Sequence, residues 1–338
     1  MVSYSDFQKA VELIDKSSSI LITTHIQPDG DACGSLVAVR DILTALGKKT
    51  KLISPSELPK WYEFLFAEKP AILGKDVTIE QLKQRQFFEP DLLVLLDVNS
   101  NNQLSKFSEY LKQNDKPVLV IDHHVTNDGL GDVELIDTDA AATGLIVFDL
   151  LKYANWPMTD KIAQAMFVAI ATDTGWFRFA NTDSRAYQAC ADLTKAGINP
   201  SALYRRIYQN VSYQRFKLMP AMLNTLELHF NGRFATQYLL QRDFEQTGAE
   251  LMDTENLVNE CQRIGTVEAA ALFVELKDGR IKCSLRSKGT INVRKIATKL
   301  GGGGHDMASG VHLPGPVEKA KELVLVEMAE QFKQLDAN

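Results

Sequence analysis

In the first half of the chain, histidines and aspartates gather into four short groups: His25, Asp29 and Asp31 in His-Ile-Gln-Pro-Asp-Gly-Asp; Asp97; Asp122 with His123 and His124; and Asp173 in Ala-Thr-Asp-Thr-Gly. Carboxylates and imidazoles are the side chains that hold divalent cations and move protons near neutral pH. Each group alone has a plainer reading. Pro28-Asp-Gly-Asp31 is good turn chemistry, and Asp31 would cap a helix beginning at Ala32. Asp97 could simply cap the next helix, Asp122-His-His124 is common as a bare tripeptide, and an Asp at a helix end such as Asp173 is more often structural than catalytic.

The elements that must position these groups are legible in the hydropathy. Ser19 to Thr24 runs into His25, Leu92 to Leu96 into Asp97, and Val118 to Ile121 into Asp122. Each run is short, β-branched or leucine-rich and nearly uncharged, as in a parallel strand buried on both faces. Open α/β sheets place their sites at the carboxyl ends of such strands. Residues 160–171 instead carry apolar side chains at helical spacing, which predicts a buried helix ending near Asp173. Four elements then deliver carboxylates and imidazoles to one sheet edge, and a shared metal centre accounts for all of them together. The mixed oxygen and nitrogen donors suit two divalent ions, with manganese ahead of magnesium and zinc less favoured. Such a pair activates water and stabilises both oxygens of an in-line displacement at phosphorus.

Helical patterns continue over about 184–228, and from about Gly232 the grammar changes to strands at 233–240, 268–275 and 280–285, helices at 255–264 and 292–300, a further strand through Val311 and a last amphipathic helix. The expectation is an α/β protein in which a parallel-sheet domain (1–185) is joined by a helical connector (186–230) to a smaller α+β domain (231–338). A length of 338 residues supports two cores. The cysteines Cys33, Cys190, Cys261 and Cys283 are scattered and read as reduced thiols. A net charge of -6 argues against electrostatic binding to long nucleic acid, but not against a small anion. No run is apolar enough for a membrane span and none reads as a signal peptide, so a cytoplasmic protein is expected.

Physically, Gly301 to Gly304 would let backbone N–H groups approach an anion, with His305 and Arg286 adding charge; a flexible loop is the alternative. Trp176, Phe177, Arg178 and Phe179 could stack a base, although core packing is favoured for most of the aromatics. His229, His312 and Trp61 have no partner motif and read as structural.

Thr24-His-Ile-Gln-Pro-Asp-Gly-Asp-Ala-Cys-Gly-Ser35, the strand ending in Asp97, Asp122-His-His124 and Thr172-Asp-Thr174 together resemble, in order and spacing, the four motifs of the DHH phosphoesterase superfamily. Gly301-Gly-Gly-Gly-His305-Asp-Met-Ala-Ser-Gly310 resembles the signature of its DHHA1 substrate-binding domain. The resemblance implies one metal held by His25, Asp29 and Asp97 and a second by Asp31, Asp97, His123 and Asp173, with Asp97 bridging. It implies that Asp122 orients a histidine and that His124 faces substrate, donating a proton to the leaving oxygen or stabilising the phosphate. In the second domain it implies substrate contacts from Arg286, Gly302, Gly303, Gly304, His305 and Ser309. Thr143 and Gly144 fall where the family has a small polar motif, with no role assigned. After Asp97 this chain reads Val-Asn-Ser-Asn-Asn-Gln-Leu, without the arginine of many relatives.

Within the superfamily this architecture resembles the NrnA-type oligoribonucleases, or nanoRNases. That implies hydrolysis of short RNA to 5′-mononucleotides, removal of the 3′-phosphate of 3′-phosphoadenosine 5′-phosphate, and a homodimer. The alternatives are dinucleotide phosphodiesterase, single-strand DNA exonuclease of the RecJ kind, pyrophosphatase or exopolyphosphatase, and a nucleotide-binding protein without catalysis.

Overall fold

The computed structural model describes residues 1–304 and 306–337. His305 lies outside them. The chain divides into two compact units, Met1–Asn210 and Val211–Asn338.

The first unit runs α1 (Tyr4–Lys16), β1 (Ser19–Thr23), α2 (Gly30–Ala45), β2 (Lys49–Ser54), β3 (Ala71–Ile72), α3 (Ile79–Lys83), β4 (Leu92–Leu96), α4 (Asn101–Leu104), α5 (Phe107–Leu111), β5 (Val118–Asp122), β6 (Val133–Ile136), α6 (Thr143–Ala154), α7 (Asp160–Asp173), α8 (Ser184–Lys195) and α9 (Pro200–Tyr208). Its six-stranded sheet has the order β3-β2-β1-β4-β5-β6, with every pairing parallel. Successive residues of β1 and β4 enter different cores: Ile20, Ile22, Leu92, Val94 and Leu96 one, Leu21, Leu93 and Leu95 the other. Burial on both faces explains why these strands read as unbroken apolar runs. Helix α7 covers the span expected for it, and its first turn is capped by Thr159.

The second unit runs α10 (Tyr213–Leu223), β7 (Glu227–His229), β8 (Phe234–Leu239), α11 (Gln241–Thr247), β9 (Ala269–Glu275), β10 (Ile281–Ser287), α12 (Val293–Lys299), β11 (Gly303–Gly304), β12 (Ala308–Leu313) and α13 (Val317–Asp336). Its mixed sheet has the order β11-β12-β10-β9-β8-β7.

Two expectations change in detail. The helix expected over 255–264 is a 3-10 segment, Leu257–Arg263, which starts after Asn256 at φ +59°, and a second 3-10 turn, Leu251–Thr254, precedes it. The helical stretch 184–228 is not one continuous body. Ala186, Leu193, Leu203 and Ile207 of α8 and α9 join the first core, whereas Leu218 and Met222 of α10 pack in the second unit. No helix among the described residues is long and apolar enough to cross a membrane.

Candidate metal centre

Each group of candidate residues reaches the centre from a different element. Strand β1 ends just before Thr24 and His25, and the chain turns through Asp29, which caps α2 by accepting the N–H groups of Asp31 and Ala32 on Oδ1 at 3.0 and 3.1 Å. Asp97 follows β4 and is 1% exposed. It adopts φ +60°, unusual for a residue with a side chain and a conformation found where structure is held for function. Asp122 ends β5, His123 and His124 follow, and Asp173 ends α7.

These residues converge. His25, Asp29 and Asp97 each place a donor atom within 4.8 Å of the others; so do Asp31, His123 and Asp173, and so do Asp97, His123 and His124. Nε2 of His25 is 3.4 Å from Asp97 Oδ2, and Nε2 of His123 is 3.6 Å from Asp97 Oδ1, 3.6 Å from Asp173 Oδ2 and 3.8 Å from Asp31 Oδ2. Such spacings exceed a usual N–H···O hydrogen bond and suit ligands that share a cation. Carboxylates and imidazoles in this mixture fit a divalent ion with oxygen and nitrogen donors. The remaining ring nitrogens are held by main-chain carbonyls: His25 Nδ1 lies 2.7 Å from Ile26 O and His123 Nδ1 3.1 Å from Ala140 O, which turns each Nε2 inward.

The charges are strongly coupled. Burial and then the charge of Asp97 push the Asp31 carboxyl well above its usual range. Burial, aided by Asp29 and Asp97, outweighs His123 and raises Asp173 to about 7. Burial opposes charge on the imidazoles, yet Asp97 and Asp29 hold His25 up at about 10, and Asp97, Asp31 and Asp173 hold His123 up at about 9. Asp97 itself is pulled below the carboxylate range, because His25, His123 and His124 overcome its burial. A cation in this cluster would take over the compensating charge that protons otherwise supply.

Around the centre lies a shell of fixed donors. Asp31 accepts the N–H of Thr143 at 2.6 Å and of Gly144 at 2.9 Å, at the start of α6, and the hydroxyl of Ser35 at 3.1 Å. The Thr143 hydroxyl donates to Asp97 Oδ1 at 3.0 Å. Thr143 and Gly144, to which the sequence assigned no role, are thus the donors that fix the two buried carboxylates. The glycines serve close approach: a Cβ on Gly34 would lie 2.4 Å from Ala165 O, and one on Gly144 would lie 2.4 Å from Ala169 Cβ. Asp122 takes no part in those donor groups. Its Oδ1 accepts His123 N–H at 2.8 Å, His124 N–H at 3.2 Å and His124 Nδ1–H at 2.7 Å.

The family model for the DHH family, N-terminal domain, matches residues 19–170, and the DHHA1 domain model matches residues 231–334. A Thermus thermophilus protein, described as a bifunctional oligoribonuclease and PAP phosphatase NrnA, is 33% identical over 332 residues, which is 96% of this chain and 92% of that protein. The chain belongs to the DHH family of phosphoesterases. The Bacillus subtilis protein of the same description is 24% identical over 306 residues, 90% of this chain and 92% of that protein. An exopolyphosphatase-related protein from Bacteroides fragilis shares the DHH fold, with a TM-score of 0.93 over 99% of both chains at 23% identity.

In this DHH protein the strained turn Gly175, Trp176 and Phe177, at φ +57°, +59° and +65°, follows Asp173 after the single residue Thr174. Trp176 meets Phe167, Tyr204 and Tyr208 edge-on, and Phe177 stacks on Tyr187 with centroids 5.4 Å apart. Both pack against the core, and Phe179 is 48% exposed.

Among the described residues of the second unit, the expected substrate residues Arg286 and Ser309 do not share one face. Arg286 pairs with Ala308, whereas Ser309 pairs with Leu285 and shares the buried face of Leu285, so Arg286 and Ser309 point to opposite sides of the sheet. The N–H groups of Gly301 and Gly302 are already spent on Thr298 O and Ala297 O at the end of α12. Gly303 and Gly304 pair with Gly310 and Ser309 on the sheet edge and are exposed. A run of glycines on its own says nothing of which N–H groups the fold has already used.

Proposed function

We propose that this protein is a two-metal phosphodiesterase that degrades short oligoribonucleotides to 5′-mononucleotides and converts 3′-phosphoadenosine 5′-phosphate to AMP. The observation that carries this reading is three overlapping donor groups at the carboxyl edge of a parallel sheet, two of which share the buried Asp97 while the third joins them through His123. Relatives aligned over nine-tenths of the chain bear both activities in their descriptions. His25, Asp29 and Asp97 hold one ion, Asp31, Asp97, His123 and Asp173 the other, and manganese suits the donors better than magnesium. The ions, when bound, supply Lewis acidity to water and to the phosphoryl oxygens.

The chain's own residues do the rest. Thr143, Gly144 and Ser35 hold the two carboxylates in place, so that the donor atoms do not have to reorganise during the reaction. Asp122 accepts Nδ1–H of His124 and thereby presents Nε2 as the atom that gives a proton to the departing 3′-oxygen. In the second unit Arg286, Gly303, Gly304 and His305 supply substrate contacts, while Ser309, on the buried face of the sheet, and Gly302, whose N–H is already bonded, support the strand and turn that carry them. The substrate is a short RNA or a nucleotide, and the protein works in the cytoplasm as a homodimer.

Product analysis tests this reading. With manganese, the protein should release mononucleotides from a dinucleotide and a 5-mer RNA and phosphate from 3′-phosphoadenosine 5′-phosphate, and Asp97→Ala should abolish all three. Turnover of pyrophosphate or polyphosphate without turnover of RNA would overturn it.

A further inference from the structure

Beside the metal centre the first unit carries a second feature that the reaction does not use. The 3-10 turn Lys60–Leu65 follows a loop that meets the turn bringing in His25 and Asp29: the N–H of Gln27 donates to Ser56 Oγ at 2.6 Å, and Tyr62 of the 3-10 turn is buried in the same core as Cys33 at the start of α2. The outer side of this turn and the end of α9 enclose a groove of about 370 Å³ lined by Lys60, Trp61, Glu63, Phe64, Arg206 and Asn210, with Lys69 at its rim. That volume is in the range of small-ligand sites, roughly 300–1,000 Å³.

The lining has a specific composition. Trp61 and Phe64 are only partly buried, and the Arg206 guanidinium lies over the Phe64 ring, 4.3 Å from its centroid. Lys69 is paired with Glu63 at 2.8 Å, and this is the one carboxylate of the groove. Arg206 makes no ion pair among the described residues. Aromatic faces beside a cation-rich rim, in a protein of net charge -6, are what a single-stranded nucleic acid needs: π surfaces accept any base and the cations meet the phosphate.

We infer that the groove between Trp61, Phe64 and Arg206 is a subsite for a nucleotide of short single-stranded RNA that lies beyond the bond being cut, with its base against the aromatic rings and its phosphate on Arg206 and Lys60. This rests on the ribonuclease reading above and adds to it a reason for preferring oligomers over dinucleotides. A dinucleotide spends both residues at the metal centre. A 5-mer has residues left to occupy the groove.

The experiment compares the manganese-loaded protein with Arg206→Glu and Trp61→Ala. Arg206 is exposed on α9, so its replacement leaves the core intact. The measurements are kcat/KM on a dinucleotide and a 5-mer RNA, and anisotropy of a labelled 5-mer. Each variant should lower kcat/KM for the 5-mer about tenfold more than for the dinucleotide, and weaken 5-mer binding by a similar factor, the scale of losing one base stack or phosphate contact. An Arg206→Glu variant that loses equally on both lengths removes the subsite and leaves the ribonuclease reading standing. A protein that binds the 5-mer through Arg206 yet cleaves no RNA keeps the groove and removes the ribonuclease reading.

Discussion

Asp122 Oδ1 lies 2.7 Å from His124 Nδ1, and the carboxylate that makes this contact is completely buried. The carboxylate accepts Nδ1–H, and its charge with that of Asp97 outweighs burial and raises the imidazole's pKa, so that Nε2 can carry a second proton, the one the proposed reaction would give to the leaving oxygen. Asp122→Asn and His124→Ala are therefore expected to lower kcat by about 10²- to 10⁴-fold, the usual worth of a general acid, with little change in bound metal. Steady-state rates beside metal analysis check this. Loss of metal in step with activity would make the pair a ligand support instead.

Thr143→Val removes the hydroxyl that donates to Asp97 while keeping the shape of the side chain. Partners of metal ligands are typically worth ten- to a hundredfold, so manganese affinity should fall by about that factor, and excess manganese should restore most of the rate. A titration of activity against free manganese reads both. An unchanged titration would show that the main-chain donors to Asp31 alone fix the centre.

Gly34 sits where α2 and α7 touch, and a Cβ there would collide with Ala165 O. Gly34→Ala should cost about 1–3 kcal/mol, the usual penalty of overpacking, and should separate Asp31 from Asp173 enough to weaken metal binding. Urea denaturation and manganese titration would register both effects. A variant of unchanged midpoint would mean that the helices yield more freely than their spacing implies.

Metal binding should release protons. Without metal, His25 and His123 are held up at about 10 and 9, so both imidazoles are charged at pH 7.5, and a cation must displace their protons to reach Nε2. Affinity is thus lowest in acid and rises with pH until those values are passed. Calorimetry in buffers of different ionisation enthalpy should show net proton release at pH 7.5. Absence of release would place the ions elsewhere.

The strands that deliver Asp97 and Asp122 were legible because a parallel strand buried on both faces leaves an unbroken apolar run, and a carboxylate at its end stands out. The helix before Asp173 showed its 3.6-residue period. Thr143 and Gly144 were located but not understood, since their role is to donate main-chain N–H groups to Asp31, and no side-chain pattern reports that. The stretch after the left-handed Asn256 winds as a 3-10 segment where an α-helix was expected, and the opposite facing of Arg286 and Ser309 came from a strand register that only the fold sets. The nearness of Arg206 to Phe64 was not legible because the two lie far apart along the chain, on different elements.

The most direct test of the central claim is anomalous diffraction at the manganese edge from crystals grown with manganese. The account predicts two peaks, one coordinated by His25, Asp29 and Asp97 and the other by Asp31, Asp97, His123 and Asp173, with Asp97 touching both. A single peak, or two peaks that do not share Asp97, would contradict it.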